Sequence, residues 1–441
     1  MDFKKFEKVC KAHGINEFDV YDVTTDGSAV STFLGQTDKN VNYHSHEVYI
    51  RGVKNGQIAN VYVEKDDESE YEKIASRLES LAGVMESEEP YFFFKGSEKY
   101  PELKKASHDY DKFSQGDRIE LCRKMENYLR EKCPYVTLTQ AEINVETSRL
   151  SIENTSGLHV SREGNEAVVF CLGVVQKDGD TRQGYYFDFV DNLADIDFDK
   201  LYRDAVERPL SMIGAKSCES KGYPVVFENK AFASLLGCFG GMFSGEAVVK
   251  KVCLLDGKLG TKVFGDNITL TDDPLLEKSP YSTPFDDEGV ATGKKNIVEN
   301  GVLKTYLHSL KTAAMLGAEP TGNGFKGGSG AISTRAANLC LKSGEKSLDE
   351  ILATIKDGIF ITDLMGLHAG VNEESGSFNL QSSGYRIRDG KLAEPVTLIV
   401  VSGNIVDLLN NVVEIGNDFE VSRLVACGSV YVKSLAVSGN K

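Results

Sequence analysis

The segment Cys238-Phe239-Gly240-Gly241-Met242-Phe243-Ser244-Gly245-Glu246-Ala247-Val248-Val249-Lys250-Lys251 divides the chain into two differently patterned halves. Hairpins dominate before it; denser and more unusual loops follow it. The segment reads as a place where an enzyme would keep its chemistry, yet the side chains that chemistry needs are mostly missing from it. Just upstream, Phe232, Leu235, Leu236 and Phe239 share one helical face behind Asn229, a candidate cap, and Val225-Val226-Phe227 reads as a short buried strand.

Working back toward the start, helical spacing of Phe3, Phe6, Val9 and Cys10 ends at Gly14, and strands are expected at Phe18–Thr24 and Ser28–Thr37. A hairpin turns at Asn55-Gly56, the pair that supplies both positive-φ positions of a type I′ turn. Ser69-Glu70-Tyr71-Glu72 reads as a capping box for a helix that reaches Gly83. A polar linker from Ser87 to Ser107 carries Tyr91-Phe92-Phe93-Phe94, aromatics expected to cover a neighbouring domain. A helix opening at Asp117 is followed by a meander with strands at 138–146, 150–154, 159–163, 167–176 and 183–190, then by helical material from Asp197 to Ile213 with a break expected at Pro209.

Beyond the opening segment, Asn300-Gly301 marks another hairpin, Ser347-Leu348-Asp349-Glu350 a capping box for a helix ending at Gly358, and Asp389-Gly390 a further turn. The pattern predicts an α+β fold: a hairpin-rich N-terminal region with helices, in two subdomains (1–86 and 108–215), followed by a β-rich α+β C-terminal domain (222–441). A chain of 441 residues is too long for one core, which agrees with two or three domains.

Composition excludes several functions. A formal net charge of −16 argues against a general nucleic-acid binder, because phosphate backbones attract basic surfaces. Nine scattered cysteines, never spaced Cys-x-x-Cys, form no disulfide framework and no zinc knuckle. No apolar run approaches the ~18 residues of a membrane span, and the start carries no secretory signature. A cytoplasmic protein with reduced thiols is expected, with no nucleic-acid and no membrane partner.

Individual motifs are weak. Gly322-Asn323-Gly324-Phe325-Lys326-Gly327 matches G-x-G-x-x-G, but it follows a helix and precedes a strand, the reverse of the nucleotide fingerprint. It reads as a tight loop that could lie over a cleft. Gly289-Val290-Ala291-Thr292-Gly293-Lys294-Lys295 is one residue short of a P-loop and lacks its hydroxyl. His44 and His46 share a strand face and need a third donor to hold a metal. Asp286, Asp287 and Glu288 group three carboxylates in one turn, read either as a solvated turn or as groups for a peptide amine or for Arg335. Asp286, Asp287, Glu288, Gly322, Asn323 and Gly324 are the substrate-binding candidates.

The ordered series Phe243-Ser244-Gly245-Glu246-Ala247, Asp272-Asp273-Pro274, Pro284-Phe285-Asp286-Asp287-Glu288-Gly289, Glu299-Asn300-Gly301-Val302-Leu303-Lys304-Thr305-Tyr306, Thr321-Gly322-Asn323, Gly403-Asn404 and Gly416-Asn417-Asp418 resembles the TldD/PmbA family, once labelled modulators of DNA gyrase. With Arg51 to Gly56 and Gln183-Gly184-Tyr185-Tyr186 also in place, the resemblance spans nearly the whole chain. It implies a cytoplasmic two-subunit peptidase assembly acting on peptides or unfolded polypeptides, with zinc in one subunit. In the zinc-bearing branch a His-Glu-x-x-x-His motif and a C-terminal cysteine hold the metal, and the glutamate acts as general base. The motif falls here on Gly245 to Lys250, where only Glu246 survives. Glycine has no donor and a lysine ammonium repels a divalent cation. Cys427 does not match the cysteine position.

The resemblance therefore implies the PmbA (TldE) branch, with Gly245, Glu246 and Lys250 as motif remnants. No metal or cofactor is expected in this chain; zinc belongs to a TldD-type partner subunit, and a homodimer is a further option. Two other readings stand beside it: a stand-alone metallopeptidase using His44 and His46, and a non-catalytic peptide-binding scaffold. The gyrase label finds no support in the charge.

Overall fold

The structure, a computed structural model, describes residues 1–84, 90–104, 107–277, 279–327 and 330–440. The expected domain end at Glu86 and linker start at Ser87 lie outside the described residues. The N-terminal half contains α1 (Phe3–Ala12), β1 (Glu17–Phe33), β2 (Gln36–Lys54), β3 (Gln57–Val63), α2 (Tyr71–Ala82), α3 (Gln115–Lys132), β4 (Val136–Asn154), β5 (His159–Lys177), β6 (Asp180–Phe189), α4 (Phe198–Tyr202) and α5 (Arg208–Ser211).

The six strands form one antiparallel sheet in the order β3-β2-β1-β4-β5-β6, so segments 1–86 and 108–215 share a sheet through the pairing of β1 with β4. Each segment nevertheless keeps its own core. Phe6, Phe18, Ile50, Tyr71 and Leu78 pack α1 and α2 on one end of the sheet, while Cys122, Met125, Leu129, Ile143, Val169 and Tyr186 pack α3 on the other. The strands run unbroken between the two cores, where the sequence pattern splits them at Thr25–Gly27, Thr147–Arg149 and Gly164–Glu166. These central stretches are not buried, so the alternation that marks a half-buried strand is absent there.

Local signals differ in detail. Asn55 (φ 53°) and Gly56 (φ 78°) make the expected turn. The expected capping box at Ser69 is absent: Asp67 accepts from the Ser69 amide at a short 3₁₀ turn, and α2 starts at Tyr71. Ser114, not Asp117, caps α3, with Asp117 as the reciprocal partner. The break near Pro209 takes the form of a π-helical turn over Arg203–Glu207. Its Ala205 and Asp204 carbonyls press on Gly173 of β5 and Gly184 of β6, where an added Cβ would lie 2.7 and 2.6 Å from those oxygens.

The C-terminal half contains β7 (Lys221–Phe227), α6 (Asn229–Cys238), α7 (Gly245–Val249), β8 (Leu270–Asp272), β9 (Lys295–Glu299), β10 (Val302–Leu303), α8 (Leu310–Leu316), β11 (Gly324–Lys326), β12 (Ile332–Thr334), β13 (Leu339–Leu341), α9 (Leu348–Leu352) and β14 (Asp357–Met365). It ends with α10 (Leu367–Gly370), β15 (Val371–Asn372), β16 (Ser377–Arg388), β17 (Lys391–Asn404), α11 (Ile405–Asn410), β18 (Val412–Ile415), β19 (Glu420–Ser422), β20 (Val425–Cys427) and β21 (Val430–Ser438). Glu228 occupies the cap position of α6, so Asn229 is its first residue. The Ser347 capping box is present, but α9 stops at Leu352, before Gly358.

Pairings β14–β7, β7–β21, β21–β17, β17–β16 and β16–β14 close a ring, leaving β15 and β18 attached outside it. A second sheet, ordered β10-β9-β8-β13-β20-β19, packs with the ring around one large core that includes Phe227, Phe232, Phe243, Ile268, Ile361, Ile399 and Val432. Pro224 lies inside β7, which starts at Lys221. Among the described residues, no helix is long and apolar enough to cross a membrane.

The two halves meet where Phe285 docks among Leu150, Ile152 and Leu158, with Phe94 and Tyr100 beside them. Tyr100 donates to the Gly289 carbonyl (2.8 Å) and Asn154 to the Phe94 carbonyl (2.7 Å), so the aromatic linker does cover a neighbouring element.

Candidate functional site

The opening segment becomes the end of α6, a 3₁₀ turn (Gly240–Phe243) and α7. Ser244 caps α7: its hydroxyl accepts from the Glu246 amide (3.1 Å) and is bonded to the Thr334 hydroxyl. Backbone bonds Leu307 N to Phe243 O and Gly245 N to Leu307 O, both 2.8 Å, zip this segment to Leu307. That pairing delivers His308 against Gly245. A Cβ at position 245 would lie 2.5 Å from His308 Nδ1 and 2.9 Å from the Leu307 oxygen. His308 is buried, and burial pushes its pKa below the usual imidazole value. The sequence leaves it as an isolated histidine; nothing in its spacing connects it to Gly245.

The other remnants turn outward. Glu246 accepts from the exposed Lys250 ammonium at 2.6 Å, an i,i+4 pair on the surface of α7. Cys427 is fully buried, its thiol pushed up by burial, and Sγ donates to the Asn229 carbonyl (3.3 Å). Histidine, cysteine and carboxylate donors do not converge here, and among the described residues no group of three such side chains could hold a metal. The residues at α7 therefore do not fit a zinc ion. His44 and His46 each take a carboxylate partner across the strand, Asp26 and Asp22, both at 2.8 Å.

The six substrate-binding candidates do come together, but as an internal network and not a solvated turn. Asp286 is fully buried; Oδ1 accepts from the Glu288 and Val290 amides (both 3.0 Å) and Oδ2 from the Gly324 amide (2.8 Å). Burial and the nearby Glu288 carboxylate push its pKa well above the usual range. Glu288 accepts from the Leu310 amide (2.8 Å) at the start of α8, and burial raises its pKa too, against the opposing pull of that bond and of Arg51. An added Cβ at Gly324 would collide with its carboxylate. Gly322 (φ 68°) packs on the Ala291 carbonyl.

Asp287 reaches across to the first sheet: it accepts from Tyr21 Oη (3.0 Å) and from the Lys326 amide (2.8 Å), and lies 3.6 Å from Arg162. It does not take Arg335, which donates to the Ala336 carbonyl and covers the Phe325 ring. The Lys326 ammonium sits over the rings of Tyr21 (4.8 Å) and Tyr49 (5.3 Å), where burial and Arg51 lower its pKa. Asn323 is fully buried, donating to Asp272 Oδ2 (2.7 Å) and accepting from Lys295 Nζ (3.1 Å). Asp272 also accepts from Lys295 and from the Ala337 and Asn338 amides. Lys295 and Lys326 lie inside the two glycine motifs weighed above, but the contacts of these lysines and of Tyr21 emerge only from the fold. The four residues Leu307–Leu310 join both clusters, touching Gly245 at one end and Glu288 at the other.

Two domain families match this frame: the PmbA/TldA metallopeptidase central domain over residues 108–213 and the PmbA/TldA metallopeptidase C-terminal domain over 220–439. The protein is thus of the metallopeptidase-domain class. The chain belongs to the TldD/PmbA family. It is 29% identical over 267 residues to Metalloprotease PmbA of Escherichia coli O157:H7, covering 60% of this chain and 57% of that protein. It is 31% identical over 314 residues to a metalloprotease of Archaeoglobus fulgidus, covering 69% and 70%. The matched stretch spans only a little over half the length of the Escherichia coli and Haemophilus influenzae PmbA proteins (57% and 53%). Over whole chains, a Thermotoga maritima protein named as a modulator of a DNA gyrase superposes with TM-score 0.89, 32% identity and 99% coverage of both chains. TldE from Thermococcus kodakarensis shares the fold, with TM-score 0.89, 24% identity and coverage of 99% and 100%.

Proposed function

We propose that this chain is the metal-free subunit of a TldD/PmbA-type cytoplasmic peptidase assembly, acting in proteolysis or peptide maturation beside a subunit that carries zinc. The observation that carries the reading is the relation between Gly245 and His308. The first ligand position of the family motif is a glycine whose side-chain volume is taken by a buried imidazole. The second is Lys250, bonded to the one remaining motif residue, Glu246. An ammonium held there opposes a divalent cation. Hydrolysis of a peptide would then rest with a partner chain, and this chain would supply part of the substrate enclosure.

The test is reconstitution. The purified chain, a family chain bearing His-Glu-x-x-x-His, and the two co-expressed are assayed on an unfolded polypeptide. Activity that needs both chains supports the proposal. Full activity of the zinc-bearing chain alone contradicts it and favours a scaffold role.

A further inference from the structure

Three arginines at the boundary between the two halves leave nearly all of their donors free of the protein. Arg162 stands on β5 opposite Leu150, in the apolar group that receives Phe285. Its guanidinium lies 5.8 Å from the centre of the Phe285 ring and 3.6 Å from Asp287, beyond hydrogen-bond distance. Arg335 directly follows β12; it lies over the Phe325 ring (4.3 Å) and uses Nη1 to donate to the Ala336 carbonyl (3.0 Å). Arg423 is exposed on the turn between β19 and β20. The Leu424 carbonyl beside it accepts from the Leu339 amide (2.8 Å), which sets this turn alongside the segment leading from Arg335 into β13. A guanidinium carries five N–H donors. Among the described residues, these three groups make a single hydrogen bond between them, and Asp287 is the one carboxylate within ion-pair distance of any of them.

The surroundings do not supply the missing acceptors. Asp287 is committed to Tyr21 Oη and to the Lys326 amide, and Asp272 to Lys295. Tyr281 meets Phe189 edge-on (6.2 Å) and lies in the field of Arg335 and Arg423, while Arg335 lies in that of Arg162, so the four side chains form one cluster. Glu166 also bears on Tyr281 but pairs with none of the arginines. The cluster is open to solvent: the Arg162 side chain is 31% exposed, and Arg335 and Tyr281 are half-buried. Aromatic faces steady the planes of Arg162 and Arg335. A planar fork held in place with its donors unused matches a carboxylate, which accepts two parallel N–H bonds. The cluster also adjoins the emptied motif, because Thr334, next to Arg335, is bonded to the Ser244 cap of α7.

We propose that Arg162, Arg335 and Arg423, with the Tyr281 hydroxyl, bind a carboxylate of the peptide that this chain helps to enclose. The inference rests on the reading of the chain as part of a peptidase assembly and adds the substrate class: peptides that present a negative charge, at the C-terminus or on an Asp or Glu side chain. In a chain of net charge −16, this gathering of arginines short of acceptors favours an acidic group over the neutral or basic remainder of a peptide.

The experiment is calorimetric titration of the full chain with short N-acetylated alanine-glycine peptides: one with a free C-terminus, one amidated, and one amidated with a central glutamate. The carboxylate-bearing peptides are expected to bind roughly tenfold or more tightly than the neutral one, and less so at high salt. The tighter of the two identifies which carboxylate the site takes. Arg335→Gln and Arg162→Gln should each remove most of the preference, and Arg335→Lys should restore only part of it, since an ammonium keeps the charge without the fork. Arg423→Glu, on an exposed turn, should weaken both acidic peptides without touching the packed core, and unchanged circular dichroism separates lost binding from lost fold. Because binding is read on this chain alone and without hydrolysis, failure here leaves the metal-free reading standing, and failure of reconstitution leaves the binding result standing. Equal affinity for charged and neutral peptides, no binding of any of them, a preference that survives Arg335→Gln and Arg162→Gln, or tighter binding of inorganic phosphate than of either acidic peptide would overturn the proposal.

Discussion

His308 and Gly245 compete for one volume: a Cβ on Gly245 would lie 2.5 Å from Nδ1 of the buried imidazole. The glycine is therefore a packing requirement as well as a missing ligand. Gly245→Ala is expected to lower stability by about 1–3 kcal/mol, the usual cost of overpacking a filled site. Adding His308→Ala should recover only part of this, because the Leu307 carbonyl remains 2.9 Å away. Urea midpoints of the three variants check it; a neutral Gly245→Ala would contradict the packing argument.

Asp272 is expected to matter far more for stability than Lys250. Its fully buried carboxylate satisfies Lys295, Asn323 and two backbone amides, and Asp272→Ala strands them all. A loss of roughly 3–5 kcal/mol follows from breaking a buried charged pair. Lys250→Ala removes an exposed helix pair worth about 0.3–0.5 kcal/mol. Denaturant titration distinguishes the two.

His308 should make the protein acid-sensitive. Its folded pKa is depressed by burial, so the unfolded chain takes up the proton first as pH falls. The stabilising contribution is complete above the unfolded value of about 6.5 and is lost as pH falls through that value toward the folded one. In His308→Gln the slope of stability against pH in this window should flatten.

Glu288 should act with the opposite sign. Its folded pKa is raised, so its contribution is present below the unfolded carboxylate value of about 4.3 and is lost as pH rises through the folded one. Glu288→Gln keeps an oxygen for the Leu310 amide while removing the charge. The variant is expected to gain stability relative to wild type as pH rises from that value, read from paired melts across pH.

The turn signals, which need only neighbouring residues, were legible in the sequence, whereas the caps expected at Ser69, Asp117 and Asn229 were not borne out. Asn55-Gly56, Asn300-Gly301 and Asp389-Gly390 all adopt the positive φ that their turns demand. The Ser347 box and the α+β class were likewise readable. The long strands were not, because the stretches between the two N-terminal cores are not buried and lose the period-2 pattern. Nor was ring closure in the C-terminal half, which depends on β14 meeting both β7 and β16. The acidic turn looked solvated because its partners are remote: Tyr21, Leu310 and Gly324 contribute from distant parts of the chain. His308 carried no signal at all, since its role arises only when Leu307 pairs with the segment around Ser244.

The most direct measurement of the central claim is the metal content of the purified chain, expressed alone with zinc supplied and again beside a His-Glu-x-x-x-His chain. The account predicts zinc well below one equivalent in this chain alone, unchanged by Glu246→Ala, and one equivalent per pair when the partner is present. Stoichiometric zinc in this chain alone, lost in Glu246→Ala, would contradict it.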